Sequence, residues 1–151
     1  MNNHKQKCWK VLCWNVRGIN SEEKWNSIKD TISEAGCDIF CFQETKRQNF
    51  DNQFLRKFCP HGFDSFEFLP SNGASGGLIT SWKSSAFSGQ LIFQNSFAIT
   101  VRLTAKHNRD TWLQTNIYGP CNHDRKRDFI RWFKHYTITD DDNWPIVGDF
   151  T

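Results

Sequence analysis

No apolar run in this 151-residue chain approaches the roughly 20 residues that a bilayer-crossing helix needs. Residues 1–7 are polar and lack the apolar segment of a secretory signal. The six cysteines form no Cys-x-x-Cys pair and have no histidine at a matching spacing, so a zinc site is not expected. Internal repeats and low-complexity linkers are missing, and the acidic run Asp140-Asp141-Asp142 has no EF-hand register, which makes it a solvated turn rather than a calcium loop. These absences point to a reducing intracellular compartment, nuclear or cytoplasmic, with no membrane contact. Cysteines there act as small hydrophobes rather than disulfides.

The sequence is rich in large aromatics: 14 Phe and 7 Trp are far too much bulky apolar matter for a disordered segment. The length suits one domain with a real core. A net charge of +3 is mildly basic, which permits a polyanionic partner without requiring one.

The apolar pattern opens with a strand over Cys8 to Trp14, ending at Asn15-Val16-Arg17-Gly18. A helix follows, with Asn20 as its cap, Glu23 completing a capping box, and Trp25, Ile28, Ile32 and Ala35 on one face. Gly36 stops it, and Cys37 to Phe42 reads as a strand buried on both faces that runs out into Gln43-Glu44-Thr45-Lys46. Strand, helix, strand at this spacing predicts a crossover within one sheet. A short amphipathic helix over Phe50 to Phe58 is stopped by Pro60, and from Phe63 the period shifts toward two. A glycine-rich turn, Ser71 to Gly77, leads into Leu78 to Trp82; Gln90 to Gln94, Phe97 to Leu103 and Thr111 to Tyr118 read as antiparallel strands. A second long helix is expected from Asn122 to Thr137, then a short buried strand, Pro145-Ile146-Val147, before Gly148-Asp149. The mixture predicts an α+β domain with helices outside packed sheets.

Three apolar strands end in a polar residue that the strand itself does not need: Asn15, Glu44 and Asp149. A fourth strand ends in Tyr118. Taken singly, each is an ordinary turn or cap residue. Side by side they form an oxygen-ligand site suited to a hard cation such as Mg²⁺.

Five segments follow one another in the chain: Cys13-Trp14-Asn15-Val16-Arg17-Gly18, Cys41-Phe42-Gln43-Glu44-Thr45-Lys46, Gly76-Gly77-Leu78, Asn116-Ile117-Tyr118-Gly119-Pro120 and Val147-Gly148-Asp149-Phe150. In that order they resemble the endonuclease/exonuclease/phosphatase family. The Asn-Val-Arg-Gly-Ile-Asn and Ile-Tyr-Gly-Pro forms look most like the endonuclease domain of plant LINE-type retrotransposon polyproteins. The resemblance implies a DNase I-like four-layer α/β/β/α sandwich, of which residues 8–151 would be the N-terminal portion, truncated after the Gly-Asp-Phe strand, with residues 1–7 a polar tail.

The same resemblance implies roles. Glu44 would be the principal ligand of Mg²⁺ (or Mn²⁺), with Asn15 contributing to the metal and phosphate shell. Asp149 would orient or deprotonate the attacking water, and Tyr118 would hydrogen-bond the scissile phosphate. Phosphodiester cleavage needs charge neutralisation, a base near the water and donors on the phosphoryl oxygens. Arg17 and Lys46 would meet the DNA backbone, and Thr151 would stand where the family carries an asparagine that contacts phosphate. Thr keeps a hydroxyl but loses the amide's reach and second donor. The family's later Asp and Asp-His pair have no counterpart, since His4, His61, His107, His123 and His135 lie outside any matching motif.

The expectation is therefore a Mg²⁺-dependent DNA endonuclease domain of retroelement type, weak or inactive as this chain. Its partners would be DNA and either the missing part of the domain or a reverse transcriptase in a longer polyprotein. A catalytically dead fragment that at most binds nucleic acid is the alternative, and a small-molecule phosphoesterase is another within the fold. A cut sandwich is also expected to leave one inner sheet face uncovered and the chain marginal. The basic run Arg125, Lys126, Arg127, Arg131 and Lys134 reads either as a solvated helix face or as a phosphate-tracking patch.

Overall fold

Strand β1 (Val11–Asn15) is buried at every position, as its unbroken apolar run requires. The chain then enters α1 (Glu22–Ala35), whose N-cap is Ser21: its Oγ accepts from Lys24 N at 3.3 Å. Asn20, the expected cap, is used elsewhere. Its Nδ2 donates to Lys46 O at 2.9 Å, and its Oδ1 accepts from Arg47 at 3.0 Å. Gly36 closes α1 in the left-handed region, with φ 61°. Strand β2 (Ile39–Gln43) follows and pairs parallel with β1, Cys13 opposite Cys41 and Asn15 opposite Gln43. Helix α2 (Asn52–Phe58) is capped by Asp51 and starts two residues later than its apolar pattern.

The structure, a computed structural model, describes residues 9–118 and the backbone of two further strands, 130–133 and 146–149. Strands β3 (Phe63–Leu69) and β4 (Leu78–Lys83) form a hairpin, and β4 runs antiparallel to β2. Strands β5 (Phe87–Gln94), β6 (Ala98–Ala105) and β7 (Thr111–Tyr118) form an antiparallel meander. Strand β8 (Ile130–Phe133) pairs antiparallel with β1, and β9 (Ile146–Asp149) pairs parallel with β7. The result is a five-stranded sheet, β3-β4-β2-β1-β8, and a four-stranded sheet, β5-β6-β7-β9.

The helix expected over Asn122 to Thr137 therefore gives way to a strand at Ile130–Phe133; the flanking stretches lie outside the described residues. The physical reason lies in β1, every residue of which is buried. Its second edge carries backbone donors and acceptors that need a partner, and β8 provides one.

Period-two alternation sends the side chains of β1 and β2 to two different cores. Leu12, Trp14, Phe40 and Phe42 face outward onto Ile28, Ile32, Leu55 and Phe58 of the two helices. Val11, Cys13, Ile39 and Cys41 face the second sheet, meeting Val101, Leu103 and Trp112. The inner faces of β1, β2, β6 and β7 thus cover one another, and the expectation of a bare inner face fails there; on β5 Leu91, opposite inward-facing Val101, stays exposed, as do Ile92 and Phe93. The meander supplies the second sheet itself. At one end the space is filled by rings, with Trp9 and Phe87 edge-on at 4.8 Å and Phe87 and Trp112 at 5.9 Å. Along β7 the inward positions Trp112, Gln114 and Asn116, all buried, lead to half-buried Tyr118, so the interior turns polar toward the other end.

Candidate active site

The polar end of the interior is where β1, β2 and β7 finish. Beyond the strands, the β1–β2 ladder continues between loops: Val16 N donates to Gln43 O at 3.0 Å, Gly18 N to Glu44 O at 2.7 Å and Ile19 N to Thr45 O at 3.1 Å. On its other side the Glu44 loop is held by the glycine-rich turn, Thr45 N donating to Gly77 O at 3.2 Å and Lys46 N to Gly76 O at 2.8 Å. Three non-glycine residues in this zipped pair of loops sit in the left-handed region: Arg17 (φ 53°), Glu44 (φ 60°) and Lys46 (φ 58°). Such backbone costs on the order of 1–2 kcal/mol per residue and persists where surroundings over-determine it. Here the surroundings are the hydrogen bonds on both flanks.

Glu44 is half-buried, and Tyr118 Oη donates to its Oε2 at 3.5 Å, joining residues from the two different sheets. Asn15 is 6% exposed, and its Oδ1 accepts from Arg17 N at 3.0 Å, an Asx turn that fixes the side chain at the strand end. Asp149 lies opposite Tyr118 in the β7–β9 register, which brings its backbone to the same end of the second sheet. Thr151 lies outside the described residues, as do residues 1–7. Lys46 is exposed and Arg17 half-buried on the paired loops beside Glu44. Of the basic run from Arg125 to Lys134, only backbone at 130–133 is described.

Two residues that sequence reasoning did not single out position this end. Gln43 Nε2 donates to Asn116 Oδ1 at 2.8 Å, and Asn116 Nδ2 lies 3.1 Å from Ile79 O and 3.2 Å from Thr80 Oγ1. A buried amide pair of this kind specifies how the sheets dock. The signal was present as two amides, Gln43 ending apolar β2 and Asn116 near the end of β7. Thr45 is fully buried, and its Oγ1 has no partner among the described residues.

The donor set fits a magnesium-like ion. Among the described residues no three His, Cys, Asp or Glu side chains cluster, so a closed all-protein cage is not built there. Mg²⁺ keeps several waters and is held by one or two carboxylates together with substrate phosphate. Half-buried Glu44, bonded through only one of its oxygens to Tyr118, offers that kind of ligand, with the Asn15 amide at the neighbouring strand end.

No helix among the described residues is long and apolar enough to cross a membrane. A search of the curated proteins gives no match to the chain. Solved structures do match. The AP endonuclease LMAP of Leishmania major is 18% identical with a TM-score of 0.59, covering 74% of this chain and 40% of its own. The human Nocturnin catalytic domain with bound sulfate is 16% identical with a TM-score of 0.59, covering 78% of this chain and 51% of its own. D. rerio TDP2 complexed with a single-strand DNA product is 14% identical with a TM-score of 0.55, covering 79% of this chain and 49% of its own. At these identities the likeness is one of fold, and the fold is the DNase I-like α+β sandwich. The chain spans about half the length or less of each. A family model described as the Endonuclease/Exonuclease/phosphatase family matches residues 12–150, and the chain belongs to that family.

Proposed function

We propose that the chain is the N-terminal portion, residues 8–151, of a divalent-metal-dependent phosphodiesterase domain that cuts DNA, of the kind found in LINE-type retrotransposon polyproteins. The observation that carries this reading is the hydrogen bond from Tyr118 to Glu44 at 3.5 Å, made where strands of both sheets end beside Asn15. A phenol and a carboxylate at a half-open rim suit a phosphate held by a donor on one side and a cation on the other. The Asn-Val-Arg-Gly-Ile-Asn and Ile-Tyr-Gly-Pro forms support the retroelement type. The DNA product seen with D. rerio TDP2 supports nucleic acid as the substrate class.

Glu44 and Asn15 would hold the ion, which when bound neutralises charge developing on the phosphoryl oxygens. Tyr118 would turn its single O–H from Glu44 Oε2 to a phosphate oxygen once the cation takes up the Glu44 carboxylate. Asp149 takes the proton of the attacking water, or orients it. Arg17, Lys46 and Thr151 bind the flanking backbone, Arg17 and Lys46 as charges and Thr151 as a hydroxyl donor. The partner beyond DNA is the remainder of the domain or a reverse transcriptase of the same polyprotein, in the nucleus or cytoplasm.

Thr151, standing where the resemblance calls for an amide, favours a second reading in which the chain binds nucleic acid without cutting it. Supercoiled plasmid separates the two. The leading reading expects slow nicking with Mg²⁺ or Mn²⁺ that EDTA and Glu44→Ala both abolish. Nicking that survives Glu44→Ala would overturn the assignment of the centre, and salt-sensitive plasmid binding with no nicking would establish the second reading.

A further inference from the structure

We propose that the cleft beside Tyr118 receives the unpaired nucleobase next to the scissile phosphate, with Phe97 as its stacking surface; this rests on reading the Glu44–Tyr118 centre as a phosphodiesterase site. The cleft has a volume of about 280 Å³ and is lined by Leu69, Pro70 and Phe97 with Asn72, Ser96 and Tyr118. That volume, close to the about 300 Å³ at which pockets for drug-sized ligands begin, is enough for a single planar group.

Both walls are preformed. On one side Phe97 N donates to Asn95 Oδ1 at 2.9 Å and Phe97 O accepts from Tyr118 N at 3.0 Å, so the residue is tied by backbone to the tyrosine of the centre. On the other, the turn carrying Asn72 is closed by Asn72 N to Ser75 O at 2.8 Å and Ser75 N to Asn72 O at 3.2 Å. Yet Phe97 is 42% exposed, immediately before a strand whose first residues are buried. A water-exposed aromatic whose backbone is bonded to that of Tyr118, and which lines the same cleft, is placed to meet the base attached to a phosphate held at Tyr118.

The chemistry then selects the substrate. Every base has a π-face, so stacking on Phe97 is tolerant of sequence. A base inside a duplex is already stacked on both faces and presents none to Phe97. The cleft therefore favours single-stranded or extruded nucleotides over intact duplex. Asn72 and Ser96 at the rim add polar contacts to base edges without replacing the stack.

The test is metal-free binding of the whole chain to single-stranded oligonucleotides carrying 2-aminopurine, whose fluorescence falls on stacking, beside the matched duplex. The expected result is quenching and tighter binding for the single strand. Phe97→Ala should weaken that binding about 10-fold and abolish quenching, while Phe97→Trp retains both. Phe93→Ala serves as the control, because Phe93 is 52% exposed and lies outside the cleft, and it should change neither. Unchanged affinity and quenching in Phe97→Ala, or equal binding of duplex, would overturn the base-stacking site while leaving Glu44-dependent nicking untouched. Failure of Glu44-dependent nicking would instead strike the phosphodiesterase reading, and is scored separately on plasmid.

Discussion

Gln43 Nε2 donates to Asn116 Oδ1 at 2.8 Å across the interior between the two sheets, one residue before Glu44 on β2 and two before Tyr118 on β7. The bond fixes the relative position of the two strands just where the carboxylate and the phenol must meet. Losing one partner of a buried pair strands the other, at about 1–3 kcal/mol per group. Replacing both by apolar groups of similar size is much milder. A double-mutant cycle with Gln43→Leu and Asn116→Leu should therefore show coupling of about 1–3 kcal/mol in urea unfolding, the double variant being more stable than the sum of the singles allows. Additive losses would show that the two amides act independently.

Gly77 is tested in the same way. Its φ is +100°, and a Cβ there would lie 2.2 Å from Thr45 Oγ1 and 3.2 Å from Lys46 N. Gly77→Ala combines backbone strain with a steric clash, each about 1–3 kcal/mol, so a loss of about 2–6 kcal/mol is expected. Thr45→Ala removes the clashing hydroxyl, which has no partner among the described residues to lose. Added to Gly77→Ala it should recover the steric share and leave the φ share, read as a partial return of the denaturation midpoint. Full recovery would show that backbone strain at residue 77 is negligible.

Much of this was legible because one rule was applied over buried stretches. Continuous apolar runs at Val11–Trp14 and Ile39–Phe42 gave two parallel strands, and the spacing of Ile28, Ile32 and Ala35 gave the helix between them. Glu44 and Tyr118, 74 residues apart, were linked only by lying at strand ends, and the structure sets them 3.5 Å apart. The cap at Asn20 was misread because Asn20 and Ser21 are both good caps, and the choice was made by Lys46 and Arg47, which occupy the Asn20 amide. The stretch around Ile130–Phe133 misled for a different reason. Helical spacing is a local signal, whereas the demand for a partner along the free edge of β1 is set by the whole sheet. The left-handed backbone at Arg17, Glu44 and Lys46 carried no signal at all, since none is glycine or asparagine.

Cys13, Cys37, Cys41 and Cys59 are buried. Burial pushes the Cys37 thiol up to about 12 from an ordinary value of 9.0, and holds Cys41 and Cys59 well above theirs. Alkylation needs the thiolate. At pH 8 iodoacetamide should modify at most the other two of the six cysteines in the native chain, and all six in urea. The same shifts carry a sign for stability. Above the unfolded value near 9 the unfolded state releases thiol protons that the native state still holds, so stability falls as pH rises from about 9 toward 12. A midpoint that stays flat or rises over that window would mean the thiols are not held neutral by the fold.

Lys46 joins strain and charge in one residue: it is exposed, it sits at φ 58° beside Glu44, and its Cδ lies 3.5 Å from where a Cβ on Gly18 would be. Lys46→Gly relieves the left-handed backbone, a gain of about 1–2 kcal/mol set against about 0.5–1 kcal/mol of added freedom in the unfolded chain. Stability in urea is therefore expected to hold or rise by up to about 1.5 kcal/mol. If Lys46 meets a phosphate as proposed, DNA binding should weaken all the same. The slope of log K against log salt should shrink by about 0.9 on duplex and about 0.7 on single strands. Opposite movements of stability and affinity would mark Lys46 as a residue kept strained for its charge. If Lys46→Gly leaves the salt slope where it was, the ammonium does not meet the nucleic-acid backbone.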